Sequence, residues 1–163
     1  MKYNSSKLMD MLVVDEGMEL QVYKDSLGID TIGVGRNLEH RGLTEEELQH
    51  LGYTTLQDVY DKGLTLYGSR YLLRNDVTIA ELELCKAHPC VKSLSAERQM
   101  VCINMAFNLG IPRLNKFKKM WAAIHNGDYE TASIEMLDSK WADQVKGRAV
   151  RLSNIMKTGK LDG

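Results

Sequence analysis

The chain has 163 residues, 44% of them hydrophobic, only two prolines and a formal net charge of −1. That length supports a substantial core, in one domain or in two lobes sharing a helix. No run of about 18 apolar residues is present, which excludes a membrane-spanning helix, and residues 1–5 are not followed by the apolar core of a secretory signal, so a soluble protein is expected where it is made.

Ser5 stands in N-cap position ahead of Leu8, Met11, Leu12 and Val14 at near-helical spacing, and Gly17 supplies the stop. A first helix over 5–16 follows, with Glu16 in its last turn, where unpaired carbonyls and the negative end of the dipole disfavour charge. Leu20 and Val22 alternate, residues 26–28 read as a turn, and Ile32 and Val34 alternate again, which predicts a hairpin. Centred near Gly28, it would set Asp25 and Thr31 opposite each other. Gly33 and Gly35 mark a strand kept bare for close approach, or a bend or bulge.

Thr44 with Glu47 forms a capping-box signature for a short helix towards Leu51, ended by Gly52, and residues 55–62 form another, stopped by Gly63. Residues 69–87 read as a long helix with a broad apolar surface, closed by Pro89. Ser95 opens the next, apolar nearly all round from Met100 to Leu109, which marks a buried central helix ended by Gly110. Further helices are expected over 114–125, 129–137, 141–144 and 148–157, punctuated by Gly127, Gly147 and Gly159. The class is α+β, mainly α.

One carboxyl biased towards proton donation, another towards the ionised base, and a hydroxyl able to hold water are what glycoside hydrolysis requires. Taken alone, Glu16 and Asp25 are also what a helix end and a turn ordinarily carry. Cys85, His88 and Cys90 lack the fourth ligand of a structural zinc site, so reduced thiols without metal or other cofactor are expected. Gly33-Val34-Gly35 lacks the third glycine and the following helix of a nucleotide loop. Residues 1–112 carry 11 Lys and Arg against 16 Asp and Glu, whereas 113–163 carry 10 against 6. A basic C-terminal portion suits an anionic polymer such as peptidoglycan or nucleic acid, or is simply a solvated helical surface; no nucleic-acid recognition motif accompanies it. Trp121 and Trp141 at helical spacing read as core.

Asp15-Glu16-Gly17, Tyr23-Lys24-Asp25, Gly28 and Thr31-Ile32-Gly33-Val34-Gly35 resemble the signature of the T4-type phage lysozymes. Asn104 to Gly110, Phe117 with Trp121, Gly127 to Ala132, Ser139-Lys140-Trp141 and Gly147-Arg148-Ala149 to Arg151 resemble its C-terminal motifs in the same order. The resemblance implies a lysozyme-like two-lobe fold: a small hairpin lobe over about 16–68 and a helical lobe of 1–15 plus about 69–163, joined by the long helix. It implies an inverting muramidase, a monomer acting on peptidoglycan glycan strands, with no nucleic-acid partner, made in the host cytoplasm and released to the wall. Glu16 would be the general acid, Asp25 the base that orients water and Thr31 its assistant. Arg148 would lie near Glu16, and Asn37, Phe107 and Asn108 would line the glycan cleft. The family often has His after its second glycine, where this chain has Arg36, and the middle segment differs in length and content. The rival reading is a non-catalytic wall-binding or tail-associated protein of the same fold.

Overall fold

The computed structural model describes residues 1–161. In chain order these form α1 (Ser5–Glu16), β1 (Glu19–Lys24), β2 (Asp30–Gly33), β3 (Arg36–Asn37), α2 (Glu45–Leu51), α3 (Leu56–Lys62), α4 (Leu66–Ala87), a 3-10 turn at Pro89–Ser93, α5 (Ala96–Leu109), α6 (Ile111–Leu114), α7 (Lys118–His125), α8 (Tyr129–Leu137), α9 (Lys140–Val145) and α10 (Gly147–Thr158). A small antiparallel sheet in an otherwise helical chain is the expected α+β class. Two compact units are present, Met9–Val77 and a second made of Met1–Leu8 with the chain from Thr78 onward, so both boundaries fall inside helices, α1 and α4.

In the first of these units α1 stops because Gly17 takes φ +80° while its N–H still reaches Val13 O at 2.9 Å. The sheet order is β1-β2-β3. Its register corrects the expected hairpin: Tyr23 pairs with Thr31 and Lys24 with Asp30, so the centre lies at Leu27, and Thr31 does not oppose Asp25. The side chain of Asp25 sets this, its Oδ1 accepting from Leu27 N at 2.8 Å and Ile29 N at 2.9 Å in an Asx-type turn. The third strand was not expected. It forms because Gly33 and Gly35, at φ +67° and +76°, reverse the chain and let Ile32 pair with Arg36. Leu20 and Val22 pack from β1 onto a core of Ile32, Leu38, Val59, Leu64 and Leu72.

Helix α2 carries the full capping box, Glu47 N donating to Thr44 Oγ1 at 3.1 Å and Thr44 N to Glu47 Oε1 at 3.0 Å. The same carboxylate holds Arg36, whose Nη1 and Nη2 donate to Oε1 and Oε2 at 2.9 and 2.8 Å. Arg36 is 2% exposed, and its Nη2 also donates to Asp76 Oδ1 at 2.8 Å. Arg41 reaches Asp76 as well, and Asn75 Nδ2 donates to Glu47 Oε2 at 2.9 Å. The residue that departs from the family's histidine thus makes a buried ion cluster of its own. Burial alone would push the Glu47 carboxyl up, yet hydrogen bonds from Arg36, Asn75 and the Thr44 backbone outweigh it and bring it down to about 2. Helix α4 begins at Leu66, three residues before the expected start, because Thr65 caps it: its Oγ1 accepts from Gly68 N at 2.9 Å.

In the helical unit α5 is buried as expected, Val101, Ile103 and Met105 being fully enclosed. The N-terminal residues belong here: Lys2 N donates to Gln99 Oε1 at 2.8 Å and Lys2 Nζ to Leu94 O at 3.0 Å. The cap of α1 is Asn4 rather than Ser5, with Asn4 Oδ1 accepting from Lys7 N at 3.0 Å. The helix expected over 114–125 is two helices. Pro112 starts α6 early, and Phe117, at ψ 56°, is not helical. Trp121 Nε1 donates to Leu114 O at 3.1 Å, which also accepts from Phe117 N at 3.2 Å, and the two bonds fix the break. Arg98 stacks over the Tyr129 ring at 3.7 Å and donates to Met156 O and Lys157 O at 2.7 and 3.0 Å, closing the end of α10.

Candidate active site

Glu16 is the last residue of α1 and is half-buried. Asp25, also half-buried, follows β1 and uses Oδ1 for the two turn amides; among the described residues Oδ2 makes no hydrogen bond and remains able to accept one from a water. Thr31 is 4% exposed and donates its hydroxyl to Ile29 O at 2.9 Å, which leaves its lone pairs as acceptors. Asn37 pairs with Thr31 on the neighbouring strand, and its Oδ1 accepts from Glu39 N and His40 N at 2.9 and 2.8 Å.

Tyr23 ties these residues together. It pairs with Thr31 across the sheet and stands two residues before Asp25, which follows β1. Its phenol is half-buried and pushed up from the ordinary tyrosine value, first by burial and then by the charges of Glu19, Asp25 and Glu16. Sequence reasoning quoted Tyr23 within a motif and gave it no place in the site; its position two before Asp25 was the available signal.

The remaining candidates lie in the helical unit. Phe107 and Asn108 occupy the last turn of α5, and Asn108 Oδ1 accepts from Trp141 Nε1 at 2.7 Å. Arg148, in the first turn of α10, donates through Nε and Nη2 to Asn104 Oδ1 at 3.0 and 2.8 Å, and Asn104 is fully buried. The structure thus brings Glu16, Asp25, Thr31 and Asn37 into one unit, and Phe107, Asn108 and Arg148 into the other. Five of the C-terminal cations, Arg113, Lys116, Lys118, Lys119 and Lys140, line a hollow of about 530 Å³ in the helical unit together with Glu135, Asp138, Phe117 and Trp141.

The three cysteines are free thiols, Cys102 buried and Cys85 and Cys90 half-buried, and burial pushes all three up. His88 faces elsewhere, stacked on Trp121 with centroids 3.7 Å apart and bonded to Asn115 Oδ1 at 2.6 Å. Among the described residues, no group of three or more His, Cys, Asp or Glu side chains is arranged to hold a metal ion.

The model of the phage lysozyme family matches residues 14–155. The chain is 30% identical over 164 residues to the probable T4-type lysozyme 2 of Dictyostelium discoideum, covering 96% of each. It is 30% identical over 166 residues to the probable T4-type lysozyme 1 of the same organism, covering 96% of this chain and 97% of that protein. It is also 30% identical over 162 residues to the pre-baseplate central spike protein Gp5 of Enterobacteria phage T4; there it covers 94% of this chain and spans only 28% of the spike protein's length.

Proposed function

Because the chain belongs to the phage lysozyme family, we propose that it is a peptidoglycan muramidase that hydrolyses the β-1,4 linkage between N-acetylmuramic acid and N-acetylglucosamine with inversion. Glu16 delivers the proton to the leaving oxygen as the bond to the sugar breaks. Asp25, its Oδ1 held by two backbone amides, accepts through Oδ2 the proton of the attacking water, and Thr31 offers that water a second contact. Asn37, Phe107 and Asn108 bind the glycan, and Arg148 supports the acid. The observation that supports this reading is the Asp25 carboxylate, whose Oδ1 is fixed by two backbone amides while Oδ2 stays able to accept, in one unit with Glu16 and Thr31. No cofactor enters the scheme. The protein acts as a monomer, from the host cytoplasm, once another factor gives it access to the wall.

Turbidity of outer-membrane-permeabilised cells tests the reading. Glu16→Gln loses clearing while its thermal unfolding stays that of a folded chain, since the amide has no acid proton to give. Full clearing by that variant removes Glu16 from its role, and retained anomeric configuration in the product overturns inversion. A second reading, wall binding without turnover as part of a larger assembly, is favoured by the similarity to the spike protein. Binding of purified peptidoglycan with no release of soluble fragments would select it.

A further inference from the structure

Three aromatic rings, His50 at the end of α2 and Tyr67 and Tyr71 at the start of α4, have no part in the acid and base scheme, although Tyr71 also packs against the core of its unit. Tyr67 and Tyr71 stand four residues apart on α4 and so share a face. His50, in the last turn of α2, stacks on Tyr71 with centroids 3.7 Å apart and planes within 12°. It lies 5.8 Å from the Tyr67 ring at 20°, and its Nε2 shares a hydrogen bond with the Tyr67 hydroxyl at 3.2 Å. Tyr67 is nonetheless 70% exposed, and Leu66 beside it 64%.

An exposed tyrosine ordinarily keeps its rotamer freedom. This one is held at its ring and at its hydroxyl while one side stays open to water, so a ligand laid on it would not have to order the side chain first. We infer that the His50, Tyr67 and Tyr71 ladder is an accessory glycan-binding platform, on which a pyranose ring of the wall polymer stacks against Tyr67. The identity of that polymer rests on the muramidase reading. The chemistry favours a saccharide: the negative face of an aromatic ring attracts the polarised C–H bonds of a sugar, while hydroxyl and imidazole groups at its edge meet sugar hydroxyls. A partner helix would instead need a groove with anchor pockets at helical spacing. On a long polymer, a second contact raises retention through effective concentration, with no part in the bond-breaking step.

Cosedimentation with purified sacculi tests the platform, using the full chain carrying Glu16→Gln so that the sacculi stay intact. Adding Tyr67→Ala should raise the half-saturating concentration about tenfold, whereas Tyr67→Trp, which keeps an aromatic face, should bind within about twofold of the parent. His50→Ala, which releases the ring without removing it, should fall between them. Thermal unfolding of each variant identifies any loss of fold, and the Trp variant keeps the test decisive if the Ala variant is unstable. Equal retention by parent and Tyr67→Ala overturns the proposal, as does equal loss in the Ala and Trp variants. So does a parent dimer in sedimentation velocity that Tyr67→Ala abolishes, because the patch would then join two copies. Wild-type digestion of the same sacculi is scored separately: undigested sacculi refute the muramidase reading, while retention alone decides the platform.

Discussion

Replacing Glu47 with Gln preserves the shape of the side chain and an oxygen for the Thr44 amide, and removes the charge that faces Arg36. The carboxyl sits at about 2 in the folded chain against an ordinary value of 4.5, a depression of about 2.5 units. At about 1.36 kcal/mol per unit, the charge contributes roughly 3 kcal/mol at pH 7. Because the folded value is the lower one, that contribution is complete above about pH 5.5 and is lost as pH falls from 4.5 towards 2. At pH 3 roughly 1 kcal/mol remains by the same linkage. Glu47→Gln should therefore lower the melting temperature by about 6 to 12 °C at pH 7, at the scale of about 2 to 4 °C per kcal/mol for a chain of this size. At pH 3 the gap between the two proteins should shrink to less than half. Calorimetry and urea unfolding at both pH values measure it. A gap that does not change with pH, or one below about 1 kcal/mol at pH 7, would refute the linkage between the buried ion cluster and stability.

Asp25→Asn and Asp25→Ala separate turn from chemistry: the amide oxygen of Asn can still accept from Leu27 and Ile29, so Asn should lose about 100-fold or more in clearing rate with little change in melting, whereas Ala should lose both. Arg98→Ala removes two bonds to the last carbonyls of α10 and the stack on Tyr129, and should cost about 2 to 3 kcal/mol by urea unfolding. Gly63→Ala would place a Cβ 2.4 Å from Leu20 O at φ +70°, and should destabilise by more than about 2 kcal/mol, read as a lower urea midpoint.

What the sequence disclosed was local. The Thr44 and Glu47 capping box, the glycine stops at Gly17, Gly52 and Gly63, and both ends of α8 follow from chemistry within a few residues. The hairpin register did not. Gly28 suggested the centre, but the Asp25 side chain, by capturing two amides, moved it by one residue and turned Thr31 to Tyr23. Strand β3 is too short to show any periodicity, and the break before α7 depends on a Trp121 bond to a carbonyl seven residues back. The partners of Arg36 come from 11 and 40 residues away, beyond any pattern in a short window. The proposed acid, base and hydroxyl could be proposed from sequence because they lie within one stretch of chain; the pairing of Thr31 with Tyr23 required the register of the strands.

The division of α1 between units has a consequence in time. Lys2 leaves the ribosome 97 residues before its acceptor Gln99. At roughly 5 to 20 residues per second, this is an interval of about 5 to 20 seconds. Every residue of Met9–Val77 has been synthesised by then. The opening turns of the chain must therefore wait, tethered to a unit able to fold early, for the one they complete, and a fusion at the amino terminus would burden the late-forming half of the molecule rather than the half nearest to it in sequence.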